Sequence, residues 1–327
     1  MKGWLFTKTG VAPKLIEKDD PIPKDDEVIL DIKAAGLCHS DVAALEDPSW
    51  MNLITAAPVI FGHECAGIVS KVGKKVKNLK IGDRVGVSPQ HPDNPLDAIG
   101  YVRDGGYATK LAVPAVQCVP LPDKVNFVQG ASATDAGMTS YHALFTIGKA
   151  KRGMKVGIIG IGGLGQFAVQ MAIAKGCKVY AVDIKKDSRD LAKSFGCISV
   201  YSKVSELEKI SPELIVDFAG TGKTTSDAIK AVGFKGTVVI VGMMKLTSNI
   251  DTYLMITKQI TLKGSNGGTP DDIKGVYSFF ESGKLNPEIT TIPFEKIDKG
   301  LEMLKSHNIK GRLVALINVD EKEPKKR

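Results

Sequence analysis

The sequence has few of the features that mark secreted, membrane or nucleic-acid-binding proteins. Its five cysteines (38, 65, 118, 177 and 197) lack CxxC spacing, and an odd, scattered set does not indicate a disulfide framework. The most apolar stretch, 156–174, is broken by five glycines and two glutamines, and the opening MKGWLFTKTG has no apolar signal core. We therefore expect a cytoplasmic protein without a membrane or export signal.

Positive charge is concentrated only near the C-terminal end of the sequence. The formal net charge is +8, but the lysines are spread out, and the one dense basic run, EKEPKKR at 321–327, is more simply a solvated end than a nucleic-acid arm. Hydrophobic residues make up 43% and charged residues 24%, close to folded soluble proteins. A chain of 327 residues exceeds one ordinary core, so two domains are expected.

The local pattern changes near residue 155. Before it, short strand-like segments such as DEVILDIKAAG and AGIVSKVG alternate with turn residues, which predicts an all-β module. After it, apolar strands such as KVGIIG, KVYAVD, LIVDFAG and GTVVIVG alternate with helical segments. That alternation predicts a parallel sheet with helical crossovers, an α/β fold. Two further helical patterns and a strand, GRLVALINV, close the chain.

A glycine-rich turn follows the first strand of the α/β part. The string GIGGLG has the GxGxxG spacing and sits between an apolar strand and a helical pattern, which makes a Rossmann dinucleotide site the favoured interpretation over a plain glycine turn. We predict that it binds the cofactor pyrophosphate through Gly160, Gly162, Gly163, Leu164 and Gly165.

Asp183 ends the next strand, 18 residues beyond Gly165, where a carboxylate would bind the ribose hydroxyls. Because a carboxylate repels a 2′-phosphate, we predict NAD(H) rather than NADP(H). Lys185 and Lys186 follow and would partly offset this repulsion. Lys185 is also assigned to the cofactor site. The alternative role of Asp183 is a helix cap.

Several strings outside the glycine turn resemble one family. They are GLCHSD at 36–41, GHECAG at 62–67, GDRV at 82–85, GGYA at 105–108, TDAGMT at 134–139 and the closing Gly311-Arg312. In this order they are similar to the medium-chain, zinc-dependent alcohol dehydrogenases. The resemblance implies a Rossmann doubly wound parallel sheet plus a GroES-like, mostly β catalytic domain, with domains at 1–135, 136–266 and, returning to the catalytic domain, 267–327.

The resemblance also implies one catalytic zinc. Catalytic zinc takes three protein ligands of the Cys, His or carboxylate type. Cys38 and His63 match two of them, and Asp135 stands where the family commonly has a cysteine, with Glu64 beside them as an auxiliary ligand. Singly, these residues could be a buried thiol, a core histidine and a helix cap. No structural zinc is expected, because the segment after GDRV lacks the family's four cysteines.

The proton path is implied by resemblance as well. Ser40 matches the hydroxyl that takes the alcohol proton, His39 matches a residue that contacts the pyrophosphate or assists the relay, and Asp41 would orient His63. Glu64 is grouped with these catalytic residues. Thr139 would lie near the nicotinamide and Arg312 near the phosphates. Ala43 occupies the position of a histidine that ends the relay in many members, so His39 or water is the expected exit.

The predicted function is reversible hydride transfer between a primary or secondary alcohol and NAD, giving an aldehyde or ketone. The alternatives are a zinc-free enone or quinone reductase of the same superfamily and a dinucleotide-binding protein without turnover. The expected partner is a small-molecule substrate, with no nucleic acid and no membrane, and the resemblance implies a homotetramer or a homodimer.

Overall fold

A computed structural model describes residues 1–306 and 309–318, so the basic run at 321–327 lies outside the described residues. The strands of this part are β1 (Lys2–Phe6), β2 (Lys14–Glu17), β3 (Glu27–Leu37), β4 (Val59–Ile60), β5 (Cys65–Val72), β6 (Arg84–Val87), β7 (Gln90–His91), β8 (Asn94–Ala98), β9 (Lys110–Pro114), β10 (Cys118–Pro120), β11 (Lys155–Ile159), β12 (Lys178–Val182), β13 (Ser199–Tyr201), β14 (Leu214–Asp217), β15 (Thr237–Ile240), β16 (Thr261–Gly264), β17 (Ile289–Pro293) and β18 (Arg312–Leu316).

The α-helices are α1 (His39–Glu46), α2 (Phe127–Ser132), α3 (Met138–Tyr141), α4 (Gly165–Ala174), α5 (Lys186–Ser194), α6 (Lys223–Ala231), α7 (Thr252–Thr257), α8 (Pro270–Glu281) and α9 (Ile297–Lys305). Two π-helical segments, Ala133–Gly137 and His142–Ile147, flank α3. Short 3-10 turns cover Pro48–Asn52, Ala115–Gln117, Val204–Leu207 and Phe294–Lys296. Among the described helices, none is long and apolar enough to cross a membrane.

The chain divides into two compact units. Unit 1 comprises Met1–Asp135, Thr269–Tyr277 and Ile289–Arg327, and unit 2 comprises Ala136–Gly268 and Ser278–Glu288. Unit 1 is mostly β: a three-stranded sheet in the order β2-β1-β4, a larger sheet in the order β10-β6-β5-β3-β18-β17 with β9 also paired to β3, and the hairpin β7-β8. The mostly β catalytic domain is therefore confirmed, although α1 and α2 are helices within the part that the pattern predicts as all-β.

Strand β3 organises unit 1. Its eleven residues pair antiparallel with β5, β9 and β18, and nearly every one is buried. Most of its residues are apolar, as expected of a strand covered on both faces, and the charged Asp31 and Lys33 are the two that are only partly buried. Beside it, Phe6 and Phe61 stack with ring centroids 4.2 Å apart. β3 ends at Leu37, so its rigid position fixes the residues that follow.

Unit 2 is a six-stranded, fully parallel sheet in the order β13-β12-β11-β14-β15-β16. In the numbering of unit 2 alone this is 3-2-1-4-5-6, the order of dinucleotide-binding folds, whose strand order reverses between β11 and β14. Ligands of such sheets bind beyond the carboxyl ends of the strands at this reversal. The predicted α/β class and doubly wound sheet are confirmed.

One stretch lies in a different unit from the one that the sequence suggests. Ser278–Glu288, within the predicted return to the catalytic domain at 267–327, group with unit 2, and the predicted domain bounds stay a prediction. Two glutamines of α4 contact this stretch. Gln166 donates to Glu288 O at 3.0 Å and accepts from Glu288 N at 2.7 Å, while Gln170 accepts from Asn286 N at 2.8 Å.

Candidate functional site

Cys38 is placed by the junction of a strand and a helix in unit 1. It directly follows β3 and is the N-cap residue of α1, with extended backbone angles. The backbone N–H of Cys38 donates to Asp41 Oδ2 at 3.2 Å, three residues into the helix. This capping contact holds the turn, and the thiol is half-buried.

His63 lies between β4 and β5, in a segment whose backbone closely approaches that of residues 105–107. Gly62 has φ +96°, and Gly106 N donates to Gly62 O at 2.7 Å. A Cβ on Gly105 would come within 2.1 Å of Gly62 O, and a Cβ on Gly62 would meet the Tyr107 ring at 2.4 Å. Glycines are therefore required here for close approach of the backbones, and the position of His63 is fixed.

Asp135 completes a group of three potential metal ligands. It lies on the π-helical segment Ala133–Gly137, and such segments are frequent at functional sites. The ligand atoms of Cys38, His63 and Asp135 all lie within 4.8 Å of one another, and His63 Nε2 is 3.5 Å from Asp135 Oδ2. Tetrahedral zinc bonds place ligand atoms about 3.3 to 3.8 Å apart, so a small closure of the cluster would fit this metal.

The charges of the cluster also suit a cation. Burial would raise the pKa of Asp135, but its contacts with His63, Arg312 and Cys38 hold that pKa well below its usual range. Burial would lower the pKa of His63, but Tyr101, Asp41 and Asp135 outweigh burial and raise it. These contacts favour the protonated imidazole, whose proton a bound metal ion would displace.

A buried network supports the side of His63 that faces away from the cluster. His63 Nδ1 lies 3.3 Å from Asp41 Oδ1, and neither atom has another hydrogen-bond partner among the described residues. Tyr107 Oη donates to Asp41 Oδ2 at 2.6 Å. Burial raises the pKa of Tyr107, which keeps this phenol a donor. The contact between Asp41 and His63 expected from the sequence is present.

Tyr101 lies against the same histidine. Its ring stacks on the imidazole, with centroids 5.5 Å apart and an interplanar angle of 24°. Burial raises the pKa of Tyr101, and an interaction of its hydroxyl with Ser40 opposes the rise. Sequence reasoning missed Tyr101 and the role of Tyr107, because an aromatic residue in a loop has no spacing that reveals which side chain it covers.

Arg312 contacts two carboxylates that the sequence did not assign to it. Its guanidinium is buried in unit 1, where it donates to Glu64 through both Nε and Nη2 and to Asp135 Oδ2 at 3.0 Å. Charge pairing of this kind satisfies a buried guanidinium, whose donors cannot be left unpaired. The predicted contact of Arg312 with the cofactor phosphates stays a prediction.

Glu64 is adjacent to the three ligands but is held by Arg312. Burial raises the pKa of Glu64 to about 7, with Arg312 opposing the rise. The Glu64 carboxylate also packs against Gly36, where a Cβ would come within 2.1 Å of Oε2. Its role as an auxiliary ligand stays a prediction, since the cluster of converging ligand atoms does not include it.

The residues of the predicted proton path are at the start of α1. Ser40 Oγ lies 3.4 Å from His63 Nε2, which places the hydroxyl beside the ligand cluster. His39, the first residue of the helix, is exposed, and Ala43 lies one turn further on. Ser40 is thus brought to the site, while the exit of the proton through His39 stays a prediction.

The segment after GDRV forms a small lobe, 88–105, without cysteine. It contains the hairpin β7-β8 and is closed by Arg103, whose Nε donates to Asp97 Oδ1 at 2.8 Å and whose carbonyl accepts from Gly100 N at 2.8 Å. These contacts supply the stiffness that a structural metal would give. The expected absence of a structural zinc stays a prediction.

The glycines of the turn in unit 2 allow a tight turn, an open approach to the backbone and close packing of the helix on the strand. Gly160 has φ +83°, a Cβ on Gly165 would come within 1.9 Å of Gly160 O, and a Cβ on Gly162 would meet open space. The turn leads through Gly163 and Leu164 into α4. An anion can therefore approach the backbone at Gly162.

Asp183, Lys185 and Thr139 are also in unit 2. Asp183 follows β12 and accepts from Ile161 N at 2.7 Å and from Lys185 N at 2.8 Å, which ties the glycine turn to the end of the neighbouring strand. Lys185 is the N-cap residue of α5, and Thr139 is buried in α3. The cofactor contacts of the three residues stay predictions.

Comparison with known proteins agrees with this arrangement. The family model described as "Alcohol dehydrogenase GroES-like domain" matches residues 24–123, and that described as "Zinc-binding dehydrogenase" matches residues 163–282. An alcohol dehydrogenase of Geobacillus stearothermophilus is 32% identical over 98% of this chain and 100% of its own length. One from Moraxella sp. is 30% identical over 96% of this chain and 98% of its own.

Solved structures give the same fold. Acetophenone reductase of Geotrichum candidum, in complex with NAD, superposes with a TM-score of 0.87 at 28% identity and covers 96% of both chains. The alcohol dehydrogenase of Aeropyrum pernix superposes with a TM-score of 0.88 at 24% identity over 97% of this chain and 100% of its own, which shows the fold alone. Unit 1 thus has the GroES-like fold beside the Rossmann sheet of unit 2, and the chain belongs to the medium-chain, zinc-dependent alcohol dehydrogenase family.

Proposed function

We propose that this protein is a zinc-dependent alcohol dehydrogenase that transfers hydride reversibly between a primary or secondary alcohol and NAD. The convergence of Cys38, His63 and Asp135 within 4.8 Å carries this proposal. A thiolate, an imidazole and a carboxylate neutralise Zn²⁺ as two thiolates and an imidazole would, with one harder ligand. Relatives that bear the name alcohol dehydrogenase support the reaction class.

Each residue of the site has a proposed task. Cys38, His63 and Asp135 would hold the metal, which when bound supplies a Lewis acid for the alcohol or carbonyl oxygen. Ser40 would accept the alcohol proton, since its Oγ lies beside His63 Nε2. Asp41 would keep His63 in the tautomer whose Nε2 is free to bind the ion. Arg312 would hold the Glu64 carboxylate beside the three ligands, where it could serve as an auxiliary ligand.

We propose NAD rather than NADP as the cofactor. Asp183, at the end of β12, is positioned by two backbone N–H groups and would accept from the ribose hydroxyls. Gly162, which faces open space, would admit the pyrophosphate. A 2′-phosphate would meet the Asp183 carboxylate, and Lys185 would offset only part of that repulsion.

The proposal is tested by measuring bound metal and turnover on one sample. We expect about one zinc per chain, NADH production from short, branched or aromatic alcohols, and weaker activity with NADP. Cys38→Ser should lose both zinc and turnover, because a hydroxyl is a poor zinc ligand at neutral pH. Turnover of enones without zinc would favour the reductase alternative, and binding of NADH without any turnover would favour a non-catalytic protein.

A further inference from the structure

A buried carboxylate of unit 2 has no part in the reaction described so far. Asp217 is the last residue of β14, is fully buried, and lies in register with Ile159 at the end of β11. These two strands flank the point where the strand order of the sheet reverses. Asp217 therefore lies directly beneath the place where a dinucleotide binds to such a sheet.

The carboxylate of Asp217 accepts four hydrogen bonds from the loop and helix that follow it. Oδ1 accepts from Ala219 N and Gly220 N, both at 3.0 Å, and Oδ2 accepts from the hydroxyls of Thr224 at 2.8 Å and Thr225 at 2.9 Å. All four donors are neutral. Burying a carboxylate costs free energy unless its oxygens accept hydrogen bonds. The same four hydrogen bonds hold the loop 218–222 and the start of α6 in place relative to each other.

The loop held by Asp217 touches the other two loops at this edge of the sheet. On one side, a Cβ on Gly160 of the glycine turn would come within 3.0 Å of Ala219 N. On the other, Gly220 approaches the backbone of Gly242 so closely that a Cβ would lie 1.8 Å from Gly242 O, and Gly220 O accepts from Lys245 N at 2.8 Å. A shift of the loop 218–222 would therefore displace both neighbours.

We infer that Asp217 is a positioning residue for cofactor binding: it holds the loop 218–222 as the second wall of the dinucleotide site, opposite the glycine turn. The inference rests on the proposed function, since it assumes a nicotinamide dinucleotide as ligand. A loop that spends only part of its time in the binding conformation weakens the observed affinity by that fraction. Asp217 keeps this fraction close to one.

The test compares NADH dissociation constants by fluorescence titration of the zinc-loaded, full-length protein. Asp217→Ala removes all four acceptors, and we expect NADH to bind about tenfold more weakly or worse. Asp217→Asn keeps an oxygen for the two loop amides but loses the acceptor of both hydroxyls, so a smaller loss of about threefold is expected. Bound zinc should be unchanged in both variants, because the ligand cluster belongs to unit 1.

The matched control is Val238→Ala, which removes two methyl groups from a fully buried position in β15, away from the three loops. It should lower the stability of unit 2 while leaving the NADH dissociation constant within about twofold of that of the wild type. A loss of affinity in this control equal to that in Asp217→Ala would overturn the inference, since the effect would then follow stability alone.

Other outcomes are equally decisive. A folded Asp217→Ala protein that binds NADH as the wild type does would overturn the inference and leave the proposed function intact. If Asp217→Ala does not fold, Asp217→Asn decides in the same way. A wild-type protein that binds neither NADH nor NADPH would overturn both the inference and the proposed function.

Discussion

A second set of side chains surrounds the proposed zinc ligand His63, and two of them, Tyr101 and Tyr107, are aromatic. The imidazole of His63 is contacted on one face by the ring of Tyr101 and at Nδ1 by Asp41, which Tyr107 holds in turn. Removing a side chain that orients a metal ligand commonly weakens metal binding by about 10- to 100-fold. Tyr101 is thus placed to affect metal binding without touching the metal.

A pair of substitutions at Tyr101 separates its ring from its hydroxyl. Tyr101→Leu removes the stacked ring, so we expect zinc to bind about tenfold more weakly in competition with a chromophoric chelator. Tyr101→Phe keeps the ring and should hold zinc within about twofold of the wild type, while its turnover falls through loss of the interaction with Ser40. Equal zinc affinity in Tyr101→Leu and the wild type would contradict the positioning role.

Residues in short, local strings were predictable from the sequence, and residues that act through distant partners were not. Cys38, His63 and Asp135 each lie in a recognisable string, and the structure brings their ligand atoms together. Arg312 was recognised as a site residue, but its contacts with Glu64 and Asp135 were not predicted. Glu64 and Asp135 lie 248 and 177 positions away from it, and no local pattern reports such a pairing.

At the scale of elements, helix α4 joins a segment to unit 2 through two buried glutamines. Gln166 makes two hydrogen bonds to the backbone of Glu288, in the manner of a neighbouring strand, and Gln170 makes one to Asn286. Replacing such a side chain leaves partly buried backbone groups without their partner. The attachment of Ser278–Glu288 to unit 2 therefore depends on α4.

Gln166→Leu should lower the free energy of unfolding of unit 2 by about 1–3 kcal/mol, because it leaves both backbone groups of Glu288 without their partner. Gln170→Leu is the matched control in the same helix and should cost less, since it removes one bond to this segment rather than two. Denaturant unfolding and hydrogen exchange at the Glu288 amide measure the two effects. Equal losses in the two variants would show that the substitutions weaken helix α4 itself, rather than its hydrogen bonds to Glu288.

The main strands of unit 2 could be predicted, because apolar strands and helical segments alternate there with glycine turns. KVGIIG contains β11, and KVYAVD contains β12. Strand β13, with three half-buried residues, was missed because it is too short to show a period. The contacts of the α4 glutamines with Asn286 and Glu288 could not be predicted, because they join side chains to backbone groups more than a hundred positions away.

At the scale of the whole molecule, the chain is an oxidoreductase of the medium-chain superfamily whose five cysteines are all free thiols. Their environments differ widely. Burial raises the pKa of Cys118 and of Cys197 to about 12, and it raises that of Cys65 further. The thiolate is the reactive form, so we expect these three thiols to react slowly near neutral pH.

Alkylation by iodoacetamide should follow these environments, with peptides read by mass spectrometry. Labelling of Cys197 should rise about tenfold per pH unit between pH 7 and 9 without levelling off, because a thiol with a raised pKa loses its proton only as the pH approaches about 12. Cys38 should react in the metal-free protein and be protected by zinc. A plateau for Cys197 below pH 9, or a Cys38 that zinc does not protect, would contradict this.

The pairing of Arg312 with Glu64 and Asp135 has a consequence for how the protein is made. Strand β18, which begins at Arg312, is the last described strand, whereas the three potential ligands all precede residue 136. During translation, a nascent chain presents Cys38, His63 and Asp135 long before the cation that braces Asp135 and neutralises Glu64 has been synthesised. The contacts that brace the binding site are therefore completed only when β18 has left the ribosome, even though all three ligands emerge with the first half of the chain.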